Sequence, residues 1–154
     1  MFSRFTEKAI HSIMLAQEEA KKFRHNYVGT EHLLLGILEE GDNVVLKTLQ
    51  EMGFSLEQLQ LNIEEKLEYG TVSSEYRNIP FTQQAKQVLS YAWDEARKLG
   101  HNYVNVEHVF LAVYRDPTNI AARILNETGI SQTEFKDSLF AFLGNKAEKM
   151  PKQK

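Results

Sequence analysis

The sequence predicts an all-α fold: eight helices in two four-helix repeats, related by a pseudo-twofold and packed as one domain. Three observations carry this reading. The octapeptide His25-Asn26-Tyr27-Val28-Gly29-Thr30-Glu31-His32 returns as His101-Asn102-Tyr103-Val104-Asn105-Val106-Glu107-His108, identical at six of eight positions and offset by 76 residues. The same offset, without a gap, aligns Phe5-Thr6 with Phe81-Thr82, Glu19-Ala20 with Glu95-Ala96, Leu49 with Leu125 and Gly53 with Gly129. An ungapped match of this length marks a duplicated supersecondary unit. Apolar residues recur at three- and four-residue spacing behind good cap residues, and no segment shows the strict alternation of a strand. Each copy alone is too small for a comfortable core, so the two are expected to pack face to face.

Thr6 is the N-cap of a first helix whose inward face is Ala9, Ile13, Ala16, Ala20 and Phe23. After a short connector, Thr30 caps a second helix through Leu33, Leu34, Ile37 and Leu38, which Gly41-Asp42 breaks. Asn43 opens a third, Val44 to about Met52, with Gly53 at its C′ position. Ser55 caps a fourth, with Leu56, Leu59, Ile63 and Leu67 on one stripe, and Ser55 and Gln58 have capping-box spacing. Repeat one is thus residues 1–68. Residues 69–80, with Gly70, Ser73, Ser74 and Pro80, form the inter-repeat linker, which also holds Glu75-Tyr76-Arg77. Repeat two, 81–144, runs from a Thr82-capped helix to a helix over Asn105–Tyr114 broken at Asp116-Pro117. A third opens at Thr118-Asn119, and a last, capped by Ser131, carries Phe135, Leu139 and Phe142 inward and ends at Gly144. Residues 145–154 are polar and lysine-rich and are expected to be a disordered tail or the start of a linker.

Composition narrows the function classes. The 154-residue chain is 42% hydrophobic and 25% charged, ordinary values for a soluble globular protein. A formal net charge of −3 gives no general reason to bind nucleic acid or an anionic membrane, so neither is expected as a partner. The absence of cysteine excludes disulfides, thiolate catalysis and cysteine-ligated zinc. The N-terminus lacks the apolar core of a secretory signal, and apolar runs are far short of a membrane span. A cytoplasm-like compartment is expected.

Chemistry-bearing motifs are few. There is no phosphate-binding Gly-x-x-x-x-Gly-Lys-Ser/Thr loop, no His-Glu-x-x-His and no nucleophile elbow. Neither catalytic residues, a metal site nor a cofactor is expected. The motif histidines His25/His32 and His101/His108 are seven apart and fall on different segments; His25 and His101 are expected to bond backbone in the connector. Glu31 and Glu107 each lie in the first turn of a second helix, where an acid complements the helix dipole. A purely structural role explains each acid well, and explains the repetition of the whole connector less well. Trp93 and Tyr91 stand where repeat one has Gln17 and Leu15, and aromatics at that spacing read as core or interdomain contacts.

These residues resemble a known family. Arg4-Phe5-Thr6-Glu7-Lys8-Ala9, Ala16-Gln17-Glu18-Glu19-Ala20, the run from His25 to Gly36, and Asp94 to Val104 are similar to the amino-terminal domain of ClpC-type AAA+ unfoldases. The resemblance covers about residues 1–144 and includes the duplication. It implies a non-enzymatic domain that recruits protein substrates and adaptor proteins for ATPase modules in the same or a partner chain. It also implies a compartment of cytoplasm, or plastid stroma in a eukaryote. In some members such a domain binds phosphoarginine-marked proteins, and the acid of each Glu-His motif takes the guanidinium; Glu31 and Glu107 match those positions. The phosphate then needs donors, for which the helix starts at Thr6 and Thr82 are the candidates. Whether each glutamate faces the first helix of its own repeat or of the other is left open by the sequence. Repeat two departs from the pattern at Asn105-Val106, where repeat one has Gly29-Thr30. Two alternatives remain: a stand-alone protein of the same repeat type that regulates or stabilises a Clp complex without ATPase activity, and an acid–base hydrolase using Glu31 or Glu107 with a histidine. No nucleophile, metal set or phosphate loop accompanies the acids in support of the last.

Overall fold

A computed structural model describes residues 2–72 and 78–148. Among them are eight helices: α1 (Glu7–Lys22), α2 (Thr30–Glu40), α3 (Val44–Glu51), α4 (Leu56–Glu65), α5 (Gln83–Lys98), α6 (Val106–Val113), α7 (Ile120–Thr128) and α8 (Gln132–Glu148). The all-α reading with two four-helix repeats is correct.

Local chemistry sets most helix starts. Thr6 and Thr82 accept from the N–H groups of Ala9 and Ala85 at 3.1 and 3.0 Å. Asn43 and Asn119 accept from Leu46 and Ala122 at 3.1 and 2.7 Å, and Ser55 from Gln58 at 3.2 Å. Each such cap stabilises its helix by about 1 kcal/mol. Asn43 and Asn119 are themselves buried, and their side-chain N–H groups donate to the Ile37 and Val113 carbonyls at 3.0 and 2.9 Å. One side chain therefore ends one helix and starts the next, in both repeats. Gly53, with φ 91°, takes the left-handed turn after α3 that a side chain would strain.

Three local expectations need correction. The N-cap of α2 is Gly29, not Thr30. The His32 ring takes the Gly29 N–H at 2.8 Å, and the Thr30 hydroxyl instead accepts from Ala121 N–H of repeat two at 3.2 Å. Ser55 and Gln58 make only half a capping box, because the Gln58 amide bonds Asn62 at 2.9 Å. Gly144 does not end α8, which continues to Glu148. Glycine inside a helix costs only about 1 kcal/mol relative to alanine, and Lys146, Ala147 and Glu148 are strong helix formers. The rest of the expected tail, 149–154, and the Glu75-Tyr76-Arg77 segment lie outside the described residues.

One hydrophobic core runs through both repeats, from Ala9 and Ile13 on α1 to Phe135 and Leu139 on α8. The repeats interleave: α3 packs on α6 and α8, and α7 packs on α2 and α4. Asn62 bonds Thr128 at 3.1 Å and Lys66 pairs with Glu127 at 3.1 Å across the same seam. Two isolated parallel bridges, Phe5 to Val104 and Val28 to Phe81, tie the start of each first helix to the connector of the other repeat.

Candidate ligand site at the crossed connectors

Each connector is built by its histidines. The backbone N–H of His25 and of His101 returns to the Ala20 and Ala96 carbonyls, both at 2.9 Å, which turns the chain out of the first helix. The tyrosine two residues on stacks on that histidine, at 4.9 Å for His25/Tyr27 and 5.0 Å for His101/Tyr103. His25 and His32, expected on separate segments, meet at 2.8 Å, and His101 and His108 at 2.9 Å. His32 Nδ1 accepts the Gly29 N–H, so its Nε2 carries the proton and donates to His25 Nδ1; His25 Nε2–H then donates to the Glu68 carbonyl. Of the expectation that the first histidine of each pair bonds connector backbone, His25 keeps the backbone bond but makes it to the Glu68 carbonyl, beyond the end of α4, and His101 is seen to pair with His108. Burial, followed by the neighbouring histidine, lowers the pKa of His32 to about 3 and of His108 to about 4. Both stay neutral, as fixed spacers that orient the turn before α2 and α6. No three His, Asp or Glu side chains converge to hold a metal ion among the described residues.

The glutamates sit inside this turn. Glu31 is 3% exposed and Glu107 4%. Burial raises the pKa of each; the backbone N–H of the same residue works against it, joined by His25 at Glu31 and by the Asn105 amide at Glu107. Other buried acids here are paired: Glu95 with Lys98 at 3.3 Å, and Glu19 with Lys22 at 4.0 Å. Glu31 and Glu107 form no ion pair among the described residues, and Glu107 Oε1 is a buried acceptor with no hydrogen-bond partner. Such an atom costs on the order of 1–3 kcal/mol when left unmade. Glu31 folds back over its own turn: a Cβ at position 29 would lie 2.1 Å from Glu31 Oε1, so any side chain there must displace the carboxylate. Repeat two has Asn105 at that place, and its Oδ1 accepts from the Thr6 hydroxyl at 2.7 Å.

The connectors are crossed. Thr82 N–H donates to Val28 O at 2.9 Å and Val28 N–H to Pro80 O at 2.8 Å; Thr6 N–H donates to Val104 O at 2.9 Å and Val104 N–H to Arg4 O at 2.8 Å. Glu31 thus lies in the first turn of α2, just after the connector that pairs with the start of α5, and Glu107 in the first turn of α6, just after the connector that pairs with the start of α1. The two threonines differ. The Thr6 N–H and hydroxyl are both engaged, whereas the Thr82 hydroxyl proton has no acceptor among the described residues. The backbone N–H groups of Glu7 and Lys8, and of Gln83 and Gln84, stand in the first helical turns, where no intrahelical acceptor is available, and donate outside the helices to no carbonyl among the described residues. Beside Thr6 opens a cavity of about 750 Å3, lined by Lys8, His11, Asn43, Lys47 and Asn105 among others. Lys8 and Lys47 both pair with the exposed Asp42 there. These lysines were missed in the sequence because Lys47 reaches the site only through the packing of α3 near the start of α1. Thr6 and Asn105 are 99 residues apart, so nothing local in the chain pairs them.

The sequence profile of the Clp repeat (R) N-terminal domain matches residues 4–152. The chain is 43% identical over 150 residues to the chloroplastic chaperone protein ClpC of Pisum sativum, covering 96% of this chain and 16% of that protein. It is 42% identical over 145 residues to the negative regulator of genetic competence ClpC/MecB of Bacillus subtilis, covering 94% and 18%. The chain therefore spans less than a fifth of the length of these relatives. The solved Hsp104 N-terminal domain of Candida albicans shares its fold, with a TM-score of 0.78 at 22% identity over 92% of this chain and 93% of that one. No described helix is long and apolar enough to cross a membrane.

Proposed function

The chain belongs to the Clp repeat N-terminal domain family and is an N-domain of the ClpC type, and on that premise we propose that it docks protein substrates and adaptors for a Clp-type ATP-dependent unfoldase, recognising arginine-phosphorylated proteins at its crossed connectors. One observation carries the finer reading: two buried carboxylates without a cationic partner among the described residues, each beside the N–H donors that start the other repeat's first helix. A phosphoarginine side chain is complementary to that pair. Its guanidinium offers N–H groups to a carboxylate in fork geometry, and its phosphoryl oxygens accept from a helix N-terminus. At the Glu31 site the N–H groups of Gln83 and Gln84 and the Thr82 hydroxyl supply those donors. At the Glu107 site the Thr6 hydroxyl is already given to Asn105, which leaves the N–H groups of Glu7 and Lys8. The Glu31 site is therefore the stronger of the two.

The domain itself acts by binding. It hydrolyses no ATP, uses no cofactor, and works in the cytoplasm or, in a plastid-bearing cell, the stroma. Calorimetric titration with free phosphoarginine, arginine and phosphoserine tests the ligand. Phosphoarginine is expected to bind and the other two to bind far more weakly. Equal binding of arginine overturns the phosphoarginine reading and leaves adaptor docking as the function of the surface.

A further inference from the structure

Two grooves run beside α1 and α5 at equivalent places in the two repeats, and their chemistry differs. Beside α1, the Gln17 amide closes the groove against the linker: its Nε2 donates to the Ile79 carbonyl at 2.7 Å, and the Ile79 N–H donates to its Oε1 at 3.0 Å. This is the two-point amide pairing of neighbouring strands. Beside α5, a groove of about 390 Å3 is formed by Ser3, Arg4, Phe5, Lys86, Leu89 and Trp93, with Val104 behind them. At the offset of 76, Trp93 aligns with Gln17, and Ser3 with Ile79 of the linker. Indole has one donor and no acceptor, so it cannot make that pairing. The backbone groups of Ser3 carry no hydrogen bond among the described residues. Instead the Arg4 guanidinium lies over the Trp93 ring, 4.7 Å from its centroid, with Arg97 at 5.5 Å. Arg97 is paired with Asp94, but Arg4 and Lys86 are in no ion pair among the described residues, and no acid lines the groove.

The geometry points to a docking groove for an acidic, extended segment of a partner protein, distinct in ligand from the phosphoarginine sites. Carboxylates of that segment pair with Arg4 and Lys86. Its main-chain amide meets Ser3 as the Gln17 amide meets Ile79, and an apolar side chain rests on Trp93 and Leu89. Charge selects this occupant: two cations in no ion pair among the described residues beside an aromatic face, in a chain whose net charge is −3. A nucleic acid fits less well, because its backbone has no amide to match Ser3 and the chain as a whole repels it.

Trp93 is the sole tryptophan, so its fluorescence reports on the groove directly. The experiment titrates the whole chain with a fluorescein-labelled heptapeptide of glutamate and aspartate around a central phenylalanine. Saturable binding at micromolar concentration is expected, with a change in Trp93 emission and weakening as salt is added. Trp93→Gln installs repeat one's own residue, whose amide then pairs with Ser3; it is expected to weaken binding, read by peptide anisotropy, at least tenfold with helical circular dichroism unchanged. The double variant Arg4→Glu/Lys86→Glu keeps the reporter and is expected to weaken binding at least tenfold, which decides the matter should Trp93→Gln fail to fold. The proposal is overturned by any of three results: no saturable binding to the parent, undiminished binding to the charge-reversed variant, or equally tight binding of a lysine-for-acid peptide or an RNA oligonucleotide.

Discussion

Thr82, which starts the first helix of repeat two, donates its backbone N–H to the carbonyl of Val28 in repeat one at 2.9 Å, and Thr6 repeats the bond to Val104 in the opposite direction. Each repeat thus supplies part of the other's helix start, as well as part of its core. Residues 1–70 expressed alone are expected not to melt as a cooperative unit, while the whole chain unfolds in one transition. A sharp, reversible thermal transition of the 1–70 fragment would show that the crossing is not needed for folding.

Removing the Glu31 carboxylate tests the proposed guanidinium contact. Glu31→Ala is expected to weaken phosphoarginine binding by about 1.5–3 kcal/mol, the range for a hydrogen bond to a charged group. Glu107→Ala is expected to matter less, because Asn105 and Thr6 already use each other. The double variant stays folded, since each change removes a helix-dipole contribution of roughly 0.3–1 kcal/mol. Calorimetry on the folded double variant checks this: undiminished affinity means that the acids only cap their helices.

The difference between the two turns is itself testable. Gly29→Ala places a methyl group where Glu31 Oε1 now lies, so the carboxylate must move. A loss of phosphoarginine affinity is expected together with overpacking of about 1–3 kcal/mol. Asn105→Gly makes the opposite change, freeing the Thr6 hydroxyl, and is expected to strengthen the Glu107 site severalfold. Binding stoichiometry and affinity of the two variants, measured side by side, read both effects.

The buried histidines set an acid limit on stability. The folded-state pKa of His32, about 3, and of His108, about 4, lie below the ordinary value of 6.5. Above pH 6.5 neither state is protonated and nothing is lost. As pH falls below 6.5 the unfolded chain takes up protons that the folded chain refuses, and stability drops by up to about 1.4 kcal/mol per pH unit per histidine. Glu31 and Glu107, raised by burial, act in the opposite sense, because the folded state protonates them first. In Glu31→Gln/Glu107→Gln that opposing effect is gone, leaving Glu19, also raised by burial, as a counterweight, and denaturant titrations are expected to show up to about 1.6 kcal/mol lost per histidine between pH 6.5 and 5. Nitrogen NMR at pH 5 showing both rings cationic would overturn the assignment.

The asparagines that join consecutive helices carry a stability cost of their own. Asn119→Ala removes the cap of α7 and leaves the buried Val113 carbonyl without its donor. A loss of about 2–4 kcal/mol is expected from the cap and the orphaned acceptor together, read from the denaturation midpoint.

Much of this molecule is decided locally, and that part is legible in the chain itself. Thr6, Asn43, Ser55, Thr82 and Asn119 cap helices because a short polar side chain reaches an N–H two or three residues on, whatever the rest of the fold does. The duplication follows from residues repeating in register, and the apolar faces follow from helical spacing. Glu31 and Glu107 were also legible, as acids repeated in a repeated connector. Tertiary structure decided what no local rule contains. Thr30 left its cap because Ala121 offers a donor across the interface, and His32 took over by reaching back to Gly29. His25 met His32 because the connector folds on itself. Asn105 closed on Thr6, and Lys47 reached the start of α1, across separations in sequence that only packing can close. The pseudo-twofold allowed each glutamate to face either first helix; hydrogen bonding of two extended segments chose the crossed arrangement, because only there do the N–H groups of Thr6 and Thr82 find carbonyls in the other repeat.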